Sequence, residues 1–149
     1  MTDLTTLTDD DLDTLRVQVL TEQGRRRLIA DAPAQAAALA DRYAAAIGRK
    51  DGQPWVQPTA AHDSYPLGIT VTHGGKTWEN LTPANVWQPG VSGWREQVAQ
   101  GYPAWVQPTG AQDAYKKGDR VSFEGSNYES LIDANVWSPT GYPAGWRKL

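Results

Sequence analysis

The sequence Asn135-Val136-Trp137-Ser138-Pro139 is followed seven residues later by a second tryptophan, Trp146. A related stretch, Asn85-Val86-Trp87-Gln88-Pro89, lies fifty residues upstream and is followed by Trp94. Tryptophan buries a large apolar area, and the core of a small domain has room for only a few such side chains. We therefore expect one tryptophan of each pair to pack in a core and the other to face outward, where it can contact a ligand.

A duplicated segment surrounds the two tryptophan pairs. Residues 54–87 align with residues 104–137 at a constant offset of 50, and 17 of the 34 aligned residues are identical. Each copy contains a β-hairpin pattern around a glycine turn and a third short run that holds the second tryptophan of the pair. The sequence therefore predicts two small all-β modules of three strands each, at residues 53–97 and 103–149.

Each predicted module is too short to bury a large core, and the chain contains no cysteine that could form a disulfide. Domains of this size depend on unusually effective packing when they have no covalent or metal cross-link. Large aromatic side chains must then form the two cores. The residues that we assign to them are Trp55, Tyr65, Trp94, Trp105, Tyr115 and Trp146.

The first fifty residues have a different composition, with ten alanines and no tryptophan. Thr8 followed by three aspartates is typical of a helix start, because the hydroxyl caps the helix and the carboxylates favour its dipole. Pro33 predicts a break, since proline disrupts a continuing helix but fits the first turn of a new one. We therefore predict an α+β protein in which a helical arm of two helices, residues 1–50, precedes the modules.

Neither predicted helix carries enough apolar surface to be stable alone. Two interpretations stay open: a helical hairpin that caps the chain, or an arm that self-associates or docks onto a larger assembly. The narrow alanine-rich face suits close helix approach and favours the second interpretation. By analogy with the symmetry of fibres, a homo-oligomer of this kind is expected to be a trimer.

Charge and composition argue against several classes of function. The net charge of −3 gives no electrostatic hold on nucleic acid or on an anionic membrane. The apolar runs are too short to span a membrane, and the N-terminus lacks the pattern of a signal peptide. His62 and His73 have no counterparts in the second copy, so we predict no metal site and no cofactor. Modules this small leave no room for a cleft that encloses a substrate, and we predict no enzyme activity.

The second copy contains an ordered set of motifs: Ala104-Trp105, Tyr115-x-x-Gly118-Asp119-x-Val121, Gly125-x-x-Tyr128 and Trp137-x-Pro139-x-x-x-Pro143-Ala144-x-Trp146. This set resembles the small chitin- and cellulose-binding modules of carbohydrate-binding module families 5 and 12. The resemblance implies a non-catalytic module in which the exposed tryptophan of the Trp-x-Pro segment lies against a sugar. That role falls on Trp137 and, in the first copy, on Trp87. The first copy departs from the pattern at Ile69, at Trp78 and in its shorter final loop.

Sugar chemistry agrees with this expectation, because a pyranose ring has an apolar C–H face that can stack on an aromatic ring. The predicted carbohydrate-binding residues are Trp137, Trp87, Tyr142, Asn135 and Asn85. The alternative for the two tryptophans is that they pack across an interface between the modules.

The sequence combines glycan-binding-like modules with an attachment-like arm, and we expect no catalytic domain beside them. This combination predicts a phage virion component, in the tail or on the capsid surface, that adheres to host cell-wall polysaccharide. The expected partners are a chitin-like or cell-wall glycan and other virion proteins bound through the arm. The expected location is the virion, or otherwise the extracellular space. The alternative is a structural virion protein whose modules bind other proteins and no sugar.

Overall fold

The structure, a computed structural model, describes residues 3–149. One long helix precedes two small sheets, so the fold is α+β as predicted. The chain divides into two compact units, one that extends to Ala36 and one from Ala37 to Leu149. Both sheets belong to the second unit.

Helix α1 runs from Asp9 to Ala46 and begins where the sequence predicts. The backbone N–H of Asp11 donates to Oγ1 of Thr8, and the Asp11 carboxylate accepts from the backbone N–H of Thr8, each at 3.2 Å. This reciprocal pair satisfies two backbone donors that the first turn of a helix leaves free. Gly48, at a φ of 66°, ends the helix in the left-handed conformation that glycine adopts without strain.

The predicted division of the arm into two helices is wrong, because α1 continues through Pro33. Proline in a helix interior removes one hydrogen bond and crowds the preceding turn, at a cost of about 3 kcal/mol. Eight of the thirteen residues from 34 to 46 are alanine, the strongest helix former. Strong helix formers after the proline therefore outweigh its local effect.

The first module forms a four-stranded sheet in the order β1-β2-β3-β4. Its strands are Gln53–Pro54, Thr70–His73, Lys76–Asn80 and Trp94–Gln97. The predicted count of three strands is wrong for this module, because β1 pairs in parallel with β2. A strand of two residues has no alternating pattern by which the sequence could reveal it.

The second module forms a three-stranded sheet, as predicted, from β5 (Arg120–Phe123), β6 (Ser126–Ser130) and β7 (Trp146–Lys148). Ala104 forms a single parallel bridge with Ser122, at the place that β1 occupies in the first module. The two modules therefore share one architecture, and they differ in how far the first strand is paired.

Each module has its own aromatic core. In the first, Tyr65 and Trp94 are buried and meet edge-to-face with ring centroids 5.4 Å apart. In the second, Tyr115 and Trp146 repeat this contact at 5.5 Å. Aromatic pairs of this geometry contribute about 0.5–1.5 kcal/mol beyond their buried area. The six residues assigned to the cores from sequence all pack there, with Trp55 and Trp105 half-buried at the edge.

An arginine from the preceding segment covers the tyrosine ring of each core. The Arg49 guanidinium lies 4.1 Å from the ring centroid of Tyr65, and the Arg95 guanidinium lies 4.2 Å from that of Tyr115. Arg95 belongs to β4 of the first module and also donates to the backbone oxygen of Asp113 at 2.8 Å. Arg95 therefore connects the two modules directly.

Candidate functional site

The two tryptophans of each pair have opposite surroundings. Trp94 and Trp146 are 7% and 5% exposed, whereas Trp87 and Trp137 are 58% and 50% exposed. The predicted split of each pair into a core ring and an outward ring is therefore confirmed. Because half or more of each outward ring is open to solvent, Trp87 and Trp137 do not fill an interface between the modules.

The buried ring of each pair fixes the loop that carries the exposed ring. The indole N–H of Trp94 donates to the backbone oxygen of Trp87 at 2.7 Å. In the second module Trp146 donates to the backbone oxygen of Trp137 at 2.9 Å. Each core thus positions the ring that it leaves outside.

Asn85 and Asn135 lie in the interior, not on the surface where a sugar contact would require them. The Asn135 amide donates to Oγ of Ser130 at 3.0 Å and to the backbone oxygen of Gly145 at 3.1 Å. Its oxygen accepts from the backbone N–H of Trp137, as that of Asn85 accepts from Trp87. Both asparagines therefore position the exposed tryptophans and are not available to touch a ligand.

The residue before each asparagine has a rarely populated backbone conformation. Ala84 and Ala134 have φ values of 52° and 53°, in the left-handed region. This conformation costs a residue with a Cβ roughly 1–2 kcal/mol. In the second module it is held by a pair of backbone hydrogen bonds between Tyr115 and Asn135, at 2.9 and 2.8 Å. The core tyrosine thereby stabilises the turn that leads into the exposed tryptophan.

Tyr142 gives the second module a second aromatic ring at the surface. It is 42% exposed, and its ring centroid lies 5.4 Å from that of Trp137. In the shorter loop of the first module, Val91 closes the corresponding turn by donating to the backbone oxygen of Gln88, as Tyr142 does to that of Ser138. The second module therefore displays two adjacent aromatic rings, and the first displays one ring beside an aliphatic side chain.

An open groove of about 690 Å³ runs beside Trp87. Its lining residues are Gln57, Pro58, Thr59, Ala60, Ala61, Val86, Trp87, Gln88 and Val91. The Gln57 amide donates to the backbone oxygen of Val86 at 3.2 Å, and Gln107 makes the same bond to Val136 at 2.9 Å. These glutamines were not among the predicted site residues. Their signal was the repeat Trp-Val-Gln-Pro-Thr, which is identical in both copies.

A repeated aspartate fixes the segment that follows the Trp-Val-Gln-Pro sequence in each module. The Asp63 carboxylate accepts from the backbone N–H groups of Thr59 and Ala60, and these bonds lower the pKa of Asp63 to about 2. Burial pushes the pKa of Asp113 upward, but hydrogen bonds from Thr109 and Gly110 outweigh it and the net pKa is lowered. Both side chains are carboxylates at neutral pH, so they hold the loops and do not store a proton for catalysis.

These depressed pKa values predict a loss of stability in acid. A carboxyl group whose folded pKa is lowered stabilises the fold above its unfolded pKa, and this contribution disappears as the pH falls through the folded pKa. We expect the free energy of unfolding to fall between about pH 4 and pH 2. Urea denaturation at a series of pH values measures the effect. Asp63→Asn should weaken the pH dependence, and an unchanged dependence in this variant would contradict the assignment.

Two further features bear on the chemistry of the surface. Among residues 3–149, no group of three or more histidine, cysteine, aspartate or glutamate side chains could hold a metal ion. The one α-helix of the described chain is not apolar enough to cross a membrane.

No protein-family model matches the sequence, and no curated protein matches it. The function of the surface around Trp87 and Trp137 rests on its own geometry and chemistry.

Proposed function

We propose that the protein is a non-catalytic glycan-binding protein whose contact residues are Trp137 and Trp87. The observation that carries the proposal is the exposure of both rings on loops whose backbone is hydrogen-bonded to buried side chains. The buried tryptophan and the buried asparagine of each module bond the backbone of its exposed tryptophan. A ring held in this way loses little conformational freedom when it binds, and such preorganisation favours affinity.

The chemistry of the surface supports a neutral polysaccharide as the ligand. The nine residues that line the groove beside Trp87 include no charged side chain. They offer one indole ring, aliphatic groups, two amides and a hydroxyl. A chitin-like or cellulose-like chain presents the matching groups, which are apolar ring faces and a rim of hydroxyl or amide groups. An anionic polymer would require cations that these nine residues lack.

Two sites in one chain support attachment to a polymeric surface. Each aromatic contact alone is weak, but linking two binding modules can raise the overall avidity by about 10²–10⁴ without any new contact. Self-association through the arm would multiply the sites again. We therefore propose that the protein is a virion component, in a phage tail or on a capsid, that adheres to host cell-wall polysaccharide. The alternative is a structural virion protein whose exposed tryptophans bind other proteins.

Removal of both exposed tryptophans is expected to abolish polysaccharide binding. Pull-down with chitin, cellulose and purified cell wall measures the bound fraction of the wild type, Trp137→Ala, Trp87→Ala and the double variant. Each single substitution should reduce affinity about tenfold or more, which corresponds to roughly 1.4 kcal/mol. Trp137→Ala should have the larger effect, because it disrupts a pair of adjacent aromatic rings, Trp137 and Tyr142, whereas the first module has a single exposed ring.

Leu67→Ala is the matched control, since Leu67 is an exposed apolar residue of the first module outside the groove beside Trp87. It should bind as the wild type does. The proposal would be refuted if the wild type bound none of the three polysaccharides. Unchanged binding by the folded double variant would refute it equally.

A further inference from the structure

The arm carries apolar side chains that are exposed to solvent. In the described part of the first unit, residues 3–36, Val17 and Leu20 are each more than half exposed. A helix with apolar side chains in water is stabilised when that surface packs against another element. A second helix packed on this segment would remove these side chains from water.

Gly24 indicates where the partner comes close. Glycine in a helix interior is destabilising relative to alanine, so it needs a reason. A Cβ added at Gly24 would meet no atom within 4 Å, so no neighbour in the described chain provides that reason. Gly24 lies seven residues after Val17 and four after Leu20, and these spacings place all three on one helix face. A second helix backbone against this face would explain the glycine.

The charged residues of the arm indicate which helix can pack against this face. Four aspartates occupy positions 9, 10, 11 and 13, and three arginines occupy positions 25 to 27. Glu22 binds Arg25 and Arg26 within the chain, each with a shortest N–O distance of 2.7 Å. Arg27 and Asp10 have no such ion pair among residues 3–149, and heptad spacing places both on the face that holds Gly24.

A second copy of this chain fits these charges in one orientation. Two parallel copies would place aspartates against aspartates and arginines against arginines, and like charges repel across a helix pair. Two antiparallel copies in one register place Asp10 and Asp11 of each chain against Arg27 and Arg26 of the other. The exposed Val17 then lies opposite Leu20 of the second copy, and Asp10 lies opposite Arg27 of the second copy.

We propose that the arm forms an antiparallel two-fold dimer in which residue i faces residue 37 − i of the second copy. The proposal rests on the self-association part of the proposed function and is independent of glycan binding. In a two-fold dimer the same helix face of both copies is buried in a single interface, as in other isologous dimers. This arrangement replaces the trimer expected by analogy with fibres.

Engineered cysteines distinguish the orientations, because the natural chain contains no cysteine. Full-length Asp10→Cys and Arg27→Cys are each oxidised alone and as an equal mixture. In the antiparallel dimer only the mixture should form disulfide-linked dimers, and its other end keeps one Asp10–Arg27 ion pair. Disulfides within each single variant, and none between the two, would overturn the antiparallel orientation.

Charge exchange tests the same pairs without a cross-link. Sedimentation equilibrium should give a dimer for the wild type and a dissociation constant at least tenfold higher for Asp10→Arg or Arg27→Asp. The double variant should recover the dimer, whereas the control Asp41→Arg should leave it unchanged. A strictly monomeric or trimeric wild type would overturn the proposal. Glycan pull-down of the same variants reports the other half of the proposed function separately.

Discussion

Replacing Trp146 by alanine is expected to unfold the second module. Trp146 is almost fully buried, packs edge-to-face on Tyr115 and bonds the backbone of Trp137. Truncation of a core tryptophan to alanine removes about 3–5 kcal/mol through lost burial and the cavity left behind. A domain of this size has only a few kcal/mol of stability in total, at roughly 0.05–0.15 kcal/mol per residue. Urea denaturation followed by circular dichroism should show the loss of one cooperative transition.

Trp137→Ala is the matched control in the same module. Its side chain is half exposed, and the backbone bonds that position the loop do not depend on its ring. Its free energy of unfolding should change by less than about 0.5 kcal/mol, as at most surface positions. Trp137→Ala should thus weaken binding and keep stability, whereas Trp146→Ala should reduce both. Equal destabilisation by the two substitutions would contradict the division of the pair into core and surface.

The tryptophan pairs show how far sequence reasoning reaches. A module this small must bury large aromatic rings, and that requirement, with the repeat, was enough to predict the cores and the exposed rings. Asn135 shows the limit. An asparagine beside an exposed tryptophan looks like a surface residue in the sequence. Its burial depends on Ser130 and Gly145, which only the folded chain brings to its amide group.

The predictions for the helix and for the first strand were wrong for different reasons. The rule that proline ends a helix is local, and the stabilising effect of the alanines after Pro33 accumulates over several turns. Strand β1 has only two residues, Gln53 and Pro54, and depends on β2 for its existence. Neither effect appears in a short window of sequence.

The contacts of two arginines with the core tyrosines were not predicted, because these arginines do not occupy equivalent positions in the repeat. Arg49 precedes Tyr65 by 16 residues, whereas Arg95 precedes Tyr115 by 20. An alignment at a constant offset of 50 therefore does not pair them. Each arginine comes from the segment before the module that it contacts, so its function is to join successive parts of the chain.

Arg95→Ala is accordingly expected to uncouple the two modules. The Arg95 guanidinium bonds Asp119 at 2.9 Å and the backbone oxygen of Asp113 at 2.8 Å, and it stacks on Tyr115. A hydrogen bond to a charged group contributes about 1.5–3 kcal/mol, so we expect a loss of roughly that size from the second module. Urea denaturation measures this loss, and NMR relaxation measures whether the modules still tumble together.

Arg147→Ala is the control, because Arg147 holds the same position in β7 but is exposed and, among residues 3–149, pairs only with Glu129. Exposed ion pairs contribute about 0–1 kcal/mol, so its effect should be small. The coupling by Arg95 also bears on binding, because avidity depends on the geometry that relates two linked sites. Arg95→Ala should bind a short oligosaccharide as the wild type does and should bind polysaccharide several-fold more weakly. If Arg95→Ala matches Arg147→Ala in unfolding, tumbling and polysaccharide binding, Arg95 does not couple the two modules.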